Sequence, residues 1–166
     1  MSRWLFWFLL VPQAFLLAGF LNDLGVPSLD MAVLSGLFLA WFAERSALPF
    51  LLLGVAIGRA LVDEASLPVH ILVVGVPVAL FLPLRSLFVE QRWLWQAVTA
   101  AVMAVAVPKL SGLCGQLFDE PSVSAVLRGW NVVLSALLLP PLLTVLRALP
   151  PFRAFCEPDR FTGANA

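Results

Sequence analysis

The stretch GVAIGRALVDEASLPVH, Gly54 to His70, carries most of the polar chemistry in the middle of an apolar chain. Arg59 interrupts a hydrophobic run. Asp63 and Glu64 follow, then Pro68 and the sole histidine, His70. Arg59 and Asp63 are four residues apart, so on a helix they share a face and can pair. Such a pair has two uses. The arginine can lift its guanidinium to the headgroup level of a membrane and fix orientation. Alternatively, the pair sits inside, where it locks a partner helix or lines a ligand cavity. Arg128, close after Asp119 and Glu120, has the same two readings. Gly54 and Gly58 form a G-x-x-x-G, a spacing that lets two helix backbones approach closely. The helix they would receive lies either in this chain or in another protein. Gly54, Gly58, Arg59, Asp63 and Arg128 are therefore the candidate partner-contact residues.

Reaction chemistry finds little footing. A lone histidine with no cysteine nearby does not make a metal site, and His70 reads as a polar residue at a helix end. No H-x-x-x-H, C-x-x-C, G-x-S-x-G or Walker-type loop occurs. Ser35, Ser111, Ser124 and Ser135 lack a sequence partner that would mark a nucleophile, and read as small packing residues. No enzyme, cofactor or metal is expected.

The elements that must position these residues are set by composition. The chain has 166 residues, 61% hydrophobic and 12% charged, with a mean hydropathy of +0.98. A soluble domain is about half apolar and about a quarter charged, so this chain cannot coat a globule with polar side chains. It reads as an all-α membrane protein, one compact bundle of about six transmembrane helices. A span takes about 20 mostly apolar residues. The apolar stretches fall at about 4–21, 29–43, 47–62, 68–84, 92–109 and 126–149, with 150–166 as a tail. The second and third are short and fit positions sheltered by neighbours. The N-terminal run reads as a retained first helix, since Pro12 interrupts it and no clear cleavage site follows. Pro49, Pro68 and Pro121 mark helix starts. Pro12, Pro77, Pro83, Pro140 and Pro141 should bend helices and free carbonyls.

Charge then orients the bundle. If the breaks alternate sides, one side receives Arg3, Arg45, Arg85, Arg92, Arg147, Arg153 and Arg160. The other receives Lys109, Arg59 and Arg128, with Asp23, Asp30, Asp63, Glu64, Asp119 and Glu120. The arginine-rich side is cytoplasmic by the positive-inside rule, and both termini lie there. Trp4, Trp7, Trp41, Trp93 and Trp95 gather near those cytoplasmic ends and Trp130 near the outer end, as an interfacial belt would. Cys114 falls outside and Cys156 inside, so the two do not pair. Zero formal net charge and the lack of a basic arm argue against nucleic acid.

This organisation resembles the rod shape-determining protein MreD family of small bacterial inner-membrane proteins. VPSLDMAVLSGLFLAWFAERSALPFLLLGVAIG is similar to that family's acid-marked helix entry, apolar helix, short basic turn and glycine-bearing third helix. GRALVDEASLPVHILVV resembles its next helix end, polar loop and helix. NVVLSALLLPPLLTVLRAL resembles its last span, with prolines near the middle and arginine at the inner end. The chain departs from the pattern at Ala60, near where an acid is usual, and at Pro68, where glycine is usual. The resemblance implies a non-enzymatic scaffold in the cytoplasmic membrane, within the elongation machinery that builds the lateral wall. It implies as partners membrane lipid, a single-pass MreC-like protein, the actin-like MreB filament and the wall polymerases. The family's fold also resembles the substrate-binding component of energy-coupling-factor vitamin transporters, which supplies an alternative function. Short acidic outer loops and the absence of tyrosine weigh against an aromatic-lined pocket. An unrelated small membrane protein is the third alternative.

Overall fold

The computed structural model describes residues 2–24, 30–86, 92–120, 129–153 and 155. These fold as helices α1 (Ser2–Asp23), α2 (Met31–Trp41), α3 (Leu48–Ala60), α4 (Leu67–Phe81), α5 (Arg92–Phe118), α6 (Gly129–Ala148) and the single turn α7 (Pro150–Arg153). A 3₁₀ turn, Pro83–Ser86, extends α4. No strand occurs among the described residues. Three helices are long and apolar enough to cross a membrane: Arg3–Leu21, Leu67–Arg85 and Trp93–Phe118.

The local chemistry explains the boundaries. α2 starts where the Asp30 carboxylate accepts from the amides of Ala32 (2.8 Å) and Val33 (3.4 Å), relieving donors that a helix start leaves unpaired. Pro49 and Pro68 sit in the first turns of α3 and α4, where a missing N–H costs nothing. α5 ends at Asp119, whose φ of 53° is left-handed. The Glu120 amide then reaches back to the Gly115 carbonyl at 3.0 Å, a Schellman closure. The sequence reading ended this span at 109, but the helix runs on through Pro108 and Lys109 to Phe118. A proline removes one backbone hydrogen bond and crowds the carbonyl one turn back, and here the helix continues past it all the same.

α2 is the central helix. It has 11 residues, about 16 Å of rise, too short to cross a bilayer of about 30 Å unaided. Eight of those residues, Ala32 to Leu34 and Gly36 to Ala40, are buried. It packs against α4, α5, α3 and α6. Beyond α2, α3 pairs with α1 and α4, and α5 pairs with α4 and α6. A continuous core of Phe38, Leu37, Leu51, Val55, Val73, Met103, Leu139 and Leu143 joins them. Outward faces stay apolar: Leu5, Phe6, Leu9, Leu16, Leu17 and Phe20 are exposed on α1 alone.

The ends of the bundle are chemically distinct. At one end Arg85 Nη1 donates to the Ala43 carbonyl (2.9 Å) and the Glu44 amide to the Phe155 carbonyl (2.9 Å). There Arg3 lies 5.7 Å from the Trp4 ring and 5.6 Å from that of Phe155, within cation–π range. Thus the first turn of α1 and the segment after α7 meet at one end. The opposite end gathers Arg59, Asp63, Ser66, Asp119 and Glu120.

One tryptophan departs from the interfacial belt. Trp7 is buried, stacked on Phe38 at 5.9 Å and edge-on to Phe152 and Phe155. Its indole N–H donates to the Leu51 carbonyl at 3.1 Å. Because that hydrogen bond satisfies its only polar atom, the ring gains more from core packing than from headgroups. Trp93 is exposed.

Candidate functional site

The last turn of α3, the turn after it, the start of α4 and the late turns of α5 converge at the acidic end. Arg59 closes α3, where a cation complements the negative end of the helix dipole. The chain then tightens: the amides of Val62 and Asp63 both donate to the Arg59 carbonyl, at 3.0 and 2.9 Å. This turn carries the Asp63 carboxylate back beside the guanidinium, 3.7 Å from Arg59 Nε. Both side chains are mostly covered, at 14% and 10% exposure. Arg59 Nη2 also donates to Ser111 Oγ on α5, a long contact at 3.5 Å. The guanidinium thus points across the bundle and ties α3 to α5.

His70 completes the group from α4. It is 1% exposed and feels the charges of both Arg59 and Asp63. Three buried polar atoms here have no hydrogen-bond partner: Arg59 Nη1, Asp63 Oδ1 and His70 Nε2. Buried polar groups are nearly always satisfied. Arg59 Nη1 can only donate, Asp63 Oδ1 can only accept, and His70 Nε2 does one or the other with its tautomer, so each can take a small polar group, an ordered water being the simplest.

A second tie closes the same end. The Ser66 amide donates to Glu120 Oε2 at 2.8 Å, linking the start of α4 to the second residue past α5. The carboxylate faces a helix N-terminus, which favours its charge. The Ser66 hydroxyl and amide hold the Glu120 carboxyl below its ordinary value of 4.5.

Gly54 and Gly58 lie elsewhere, on the α3 face toward α1. A Cβ on Gly54 would stand 2.5 Å from Trp7 Nε1, and one on Gly58 2.7 Å from Phe15 Cδ2 and 3.2 Å from the Pro12 backbone. Gly19 of α1 meets Val62 farther along the same seam. The helix that occupies the G-x-x-x-G is therefore α1 of this chain. Arg128 lies outside the described residues, as does Cys156.

The structure brings Arg59 and Asp63 together and adds Ser111, His70, Ser66 and Glu120. Sequence spacing pointed to the first pair alone, because the others reach the site from different helices. His70 stood out in the sequence only as a polar residue at a helix end, beside Pro68. No family model, curated protein or solved structure matches this chain. Among the described residues no cluster of His, Cys, Asp and Glu could hold a metal ion.

Proposed function

We propose that the chain is a multi-pass protein of the bacterial cytoplasmic membrane, with its arginine-rich end inside. In this reading it is a non-enzymatic scaffold of the wall-elongation machinery, as the resemblance to MreD implies. The observation that carries the membrane part is the sorting of the bundle: an apolar girdle, arginine and aromatic rings at one end, carboxylates at the other. The scaffold part rests on the pattern resemblance in sequence. A scaffold must present fixed faces to single-pass helices and to a filament beneath the membrane. The Arg59–Ser111 and Ser66–Glu120 ties supply that rigidity at the outer end, and the Trp7–Phe38–Phe152 cluster supplies it at the inner end.

The test is copurification from native membranes with a tag after Ala166. Recovery of a single-pass MreC-like protein or wall polymerases supports the proposal; their absence from a well-extracted sample contradicts it. Arg59→Leu should reduce recovery without preventing insertion, because leucine is cheaper in lipid than arginine. If Arg59→Leu leaves complex yield unchanged, its role in partner binding fails.

A second reading is favoured by the open atoms of Arg59, Asp63 and His70. A buried, incompletely bonded polar cluster at the outer end suits a substrate-binding subunit of an energy-coupling-factor transporter. An ATPase pair with a small membrane coupler in the eluate would establish that reading instead.

A further inference from the structure

α1 has two faces. Trp7, Val11 and Phe15 recur every four residues and are buried, with Trp7 and Phe15 meeting Gly54 and Gly58 of α3. The other face is free: Phe6, Leu9, Gln13, Leu16 and Phe20 are all exposed. Their steps of three and four residues repeat every seven, the spacing that keeps one stripe of a helix turned toward a supercoiling neighbour. Leu10 and Leu17, also exposed, widen the stripe. The helix runs unbroken through Pro12 from Ser2 to Asp23, so the stripe is continuous.

Gln13 makes this more than a surface for lipid. It lies ten residues, about 15 Å, from each of the helix's own charges, Arg3 at one end and Asp23 at the other. Between Arg3 and Asn22 no other side chain is an amide, a hydroxyl or a charge. Among the described residues nothing bonds its carboxamide. Hydrocarbon offers no replacement for water, so a lipid-facing amide is stabilised by a helix that brings both an acceptor and a donor to its depth.

We propose that α1 packs against α1 of a second copy of this chain, with the two Gln13 side chains hydrogen-bonded to each other in the seam. Insertion in a membrane selects this occupant. Two copies of one chain enter with the same orientation, so their two-fold axis lies along the membrane normal. Every residue on the stripe then meets its own copy at its own depth. A charged residue there would repel its copy. A carboxamide carries both an acceptor oxygen and donor N–H groups, so it is its own complement. One polar residue at a repeating seam position also fixes the register and the number of helices. Phe6 and Phe20, seven residues to either side, meet their copies above and below the amide pair. The inference rests on the membrane reading given above and concerns a face separate from the Arg59 cluster.

The test is disulfide cross-linking in native membranes, with two differently tagged full-length copies coexpressed in a Cys114→Ala, Cys156→Ala background. Leu9→Cys and Leu16→Cys place a thiol on the stripe, and Leu80→Cys, on the exposed face of α4, is the lipid-facing control. Carbonate extraction of the same membranes checks integration on its own. A chain in the soluble fraction defeats the membrane reading and this proposal together; a chain in the pellet without the cross-link defeats this proposal alone. Oxidation with copper phenanthroline should join two copies, carrying both tags, through either stripe position and well above the control. Gln13→Leu, which lipid tolerates better, should cut the Leu16→Cys yield about three- to tenfold while the chain stays in the pellet, the range expected of one interhelical polar contact. Gln13→Asn keeps the amide and should keep most of the yield. The proposal is overturned by a cross-link that Gln13→Leu leaves intact, by a cross-link to a different protein in place of a second copy, or by stripe positions that join no better than the Leu80→Cys control.

Discussion

Arg59 shows how one buried charge can hold a helix bundle in a single arrangement. Its guanidinium is flanked by Asp63 and Ser111, so it can be neither removed nor neutralised alone without leaving an uncompensated group. Arg59→Leu should lower stability in detergent by about 1–3 kcal/mol, because it strands the Asp63 carboxylate in a covered site. Adding Asp63→Leu should recover most of that loss, since apolar pairs often replace buried ion pairs without penalty. Thermal melts of the single and double variants read this directly. The double variant also separates functions: restored stability with partner recovery still lost would tie Arg59 to binding, apart from folding. Glu120 gives a pH-dependent prediction. Its folded-state pKa is held below the ordinary value of 4.5 by the Ser66 hydroxyl and amide. A depressed carboxylate contributes stability above its unfolded pKa, and that contribution disappears as pH falls through the lower, folded value. Melting temperature should therefore drop on the acid side of 4.5, and Glu120→Gln should flatten that limb while lowering stability at neutral pH. At Asp119, φ is 53°, a conformation that disfavours side chains. Asp119→Gly should raise stability by up to about 1 kcal/mol, measurable as a higher melting temperature.

Among the elements, the α1–α3 seam and the α5 surface make a matched pair of tests. Gly58→Ala places a methyl 2.7 Å from Phe15 and 3.2 Å from the Pro12 backbone, which cannot swing aside. It should cost about 1–3 kcal/mol. Gly112→Ala meets nothing within 4 Å and adds helix propensity, so it should gain about 0.5–1 kcal/mol. Melts of the isolated chain in detergent compare them. Equal effects would mean that the α1 contact is not tight. The helices themselves were legible in the sequence because apolar runs, helix-start prolines and polar breaks coincide. Their ends were less so. α5 continues through Pro108 because a proline in apolar surroundings bends a helix without ending it. The G-x-x-x-G was readable as a close-approach site, but its occupant depended on how α1 folds back. Trp7 misled for the opposite reason. An indole near a chain end suggests an interface, and only the Leu51 carbonyl in reach of its N–H makes the core preferable. Of the polar cluster, the i, i+4 pair was visible in one dimension; Ser111 and His70 join it only through helix packing.

For the whole molecule, the alternation of short breaks in the sequence implied two ends, and the contacts assemble them: Trp4, Ala43, Glu44, Arg85 and Phe155 at one, Arg59, Asp63, Ser66, Ser111 and Glu120 at the other. α2, too short to span unaided, gains its place by burial among its neighbours. In the proposed membrane setting, the exposed leucines and phenylalanines of α1 would meet lipid and the charged ends would meet water. The most direct measurement of the proposed orientation is labelling of single cysteines with a membrane-impermeant maleimide, in a Cys114→Ala, Cys156→Ala background. Asp119→Cys should react in intact spheroplasts, and Arg45→Cys only after the membrane is permeabilised. Labelling of Arg45→Cys in intact spheroplasts, or protection of Asp119→Cys until permeabilisation, would contradict the proposed membrane architecture.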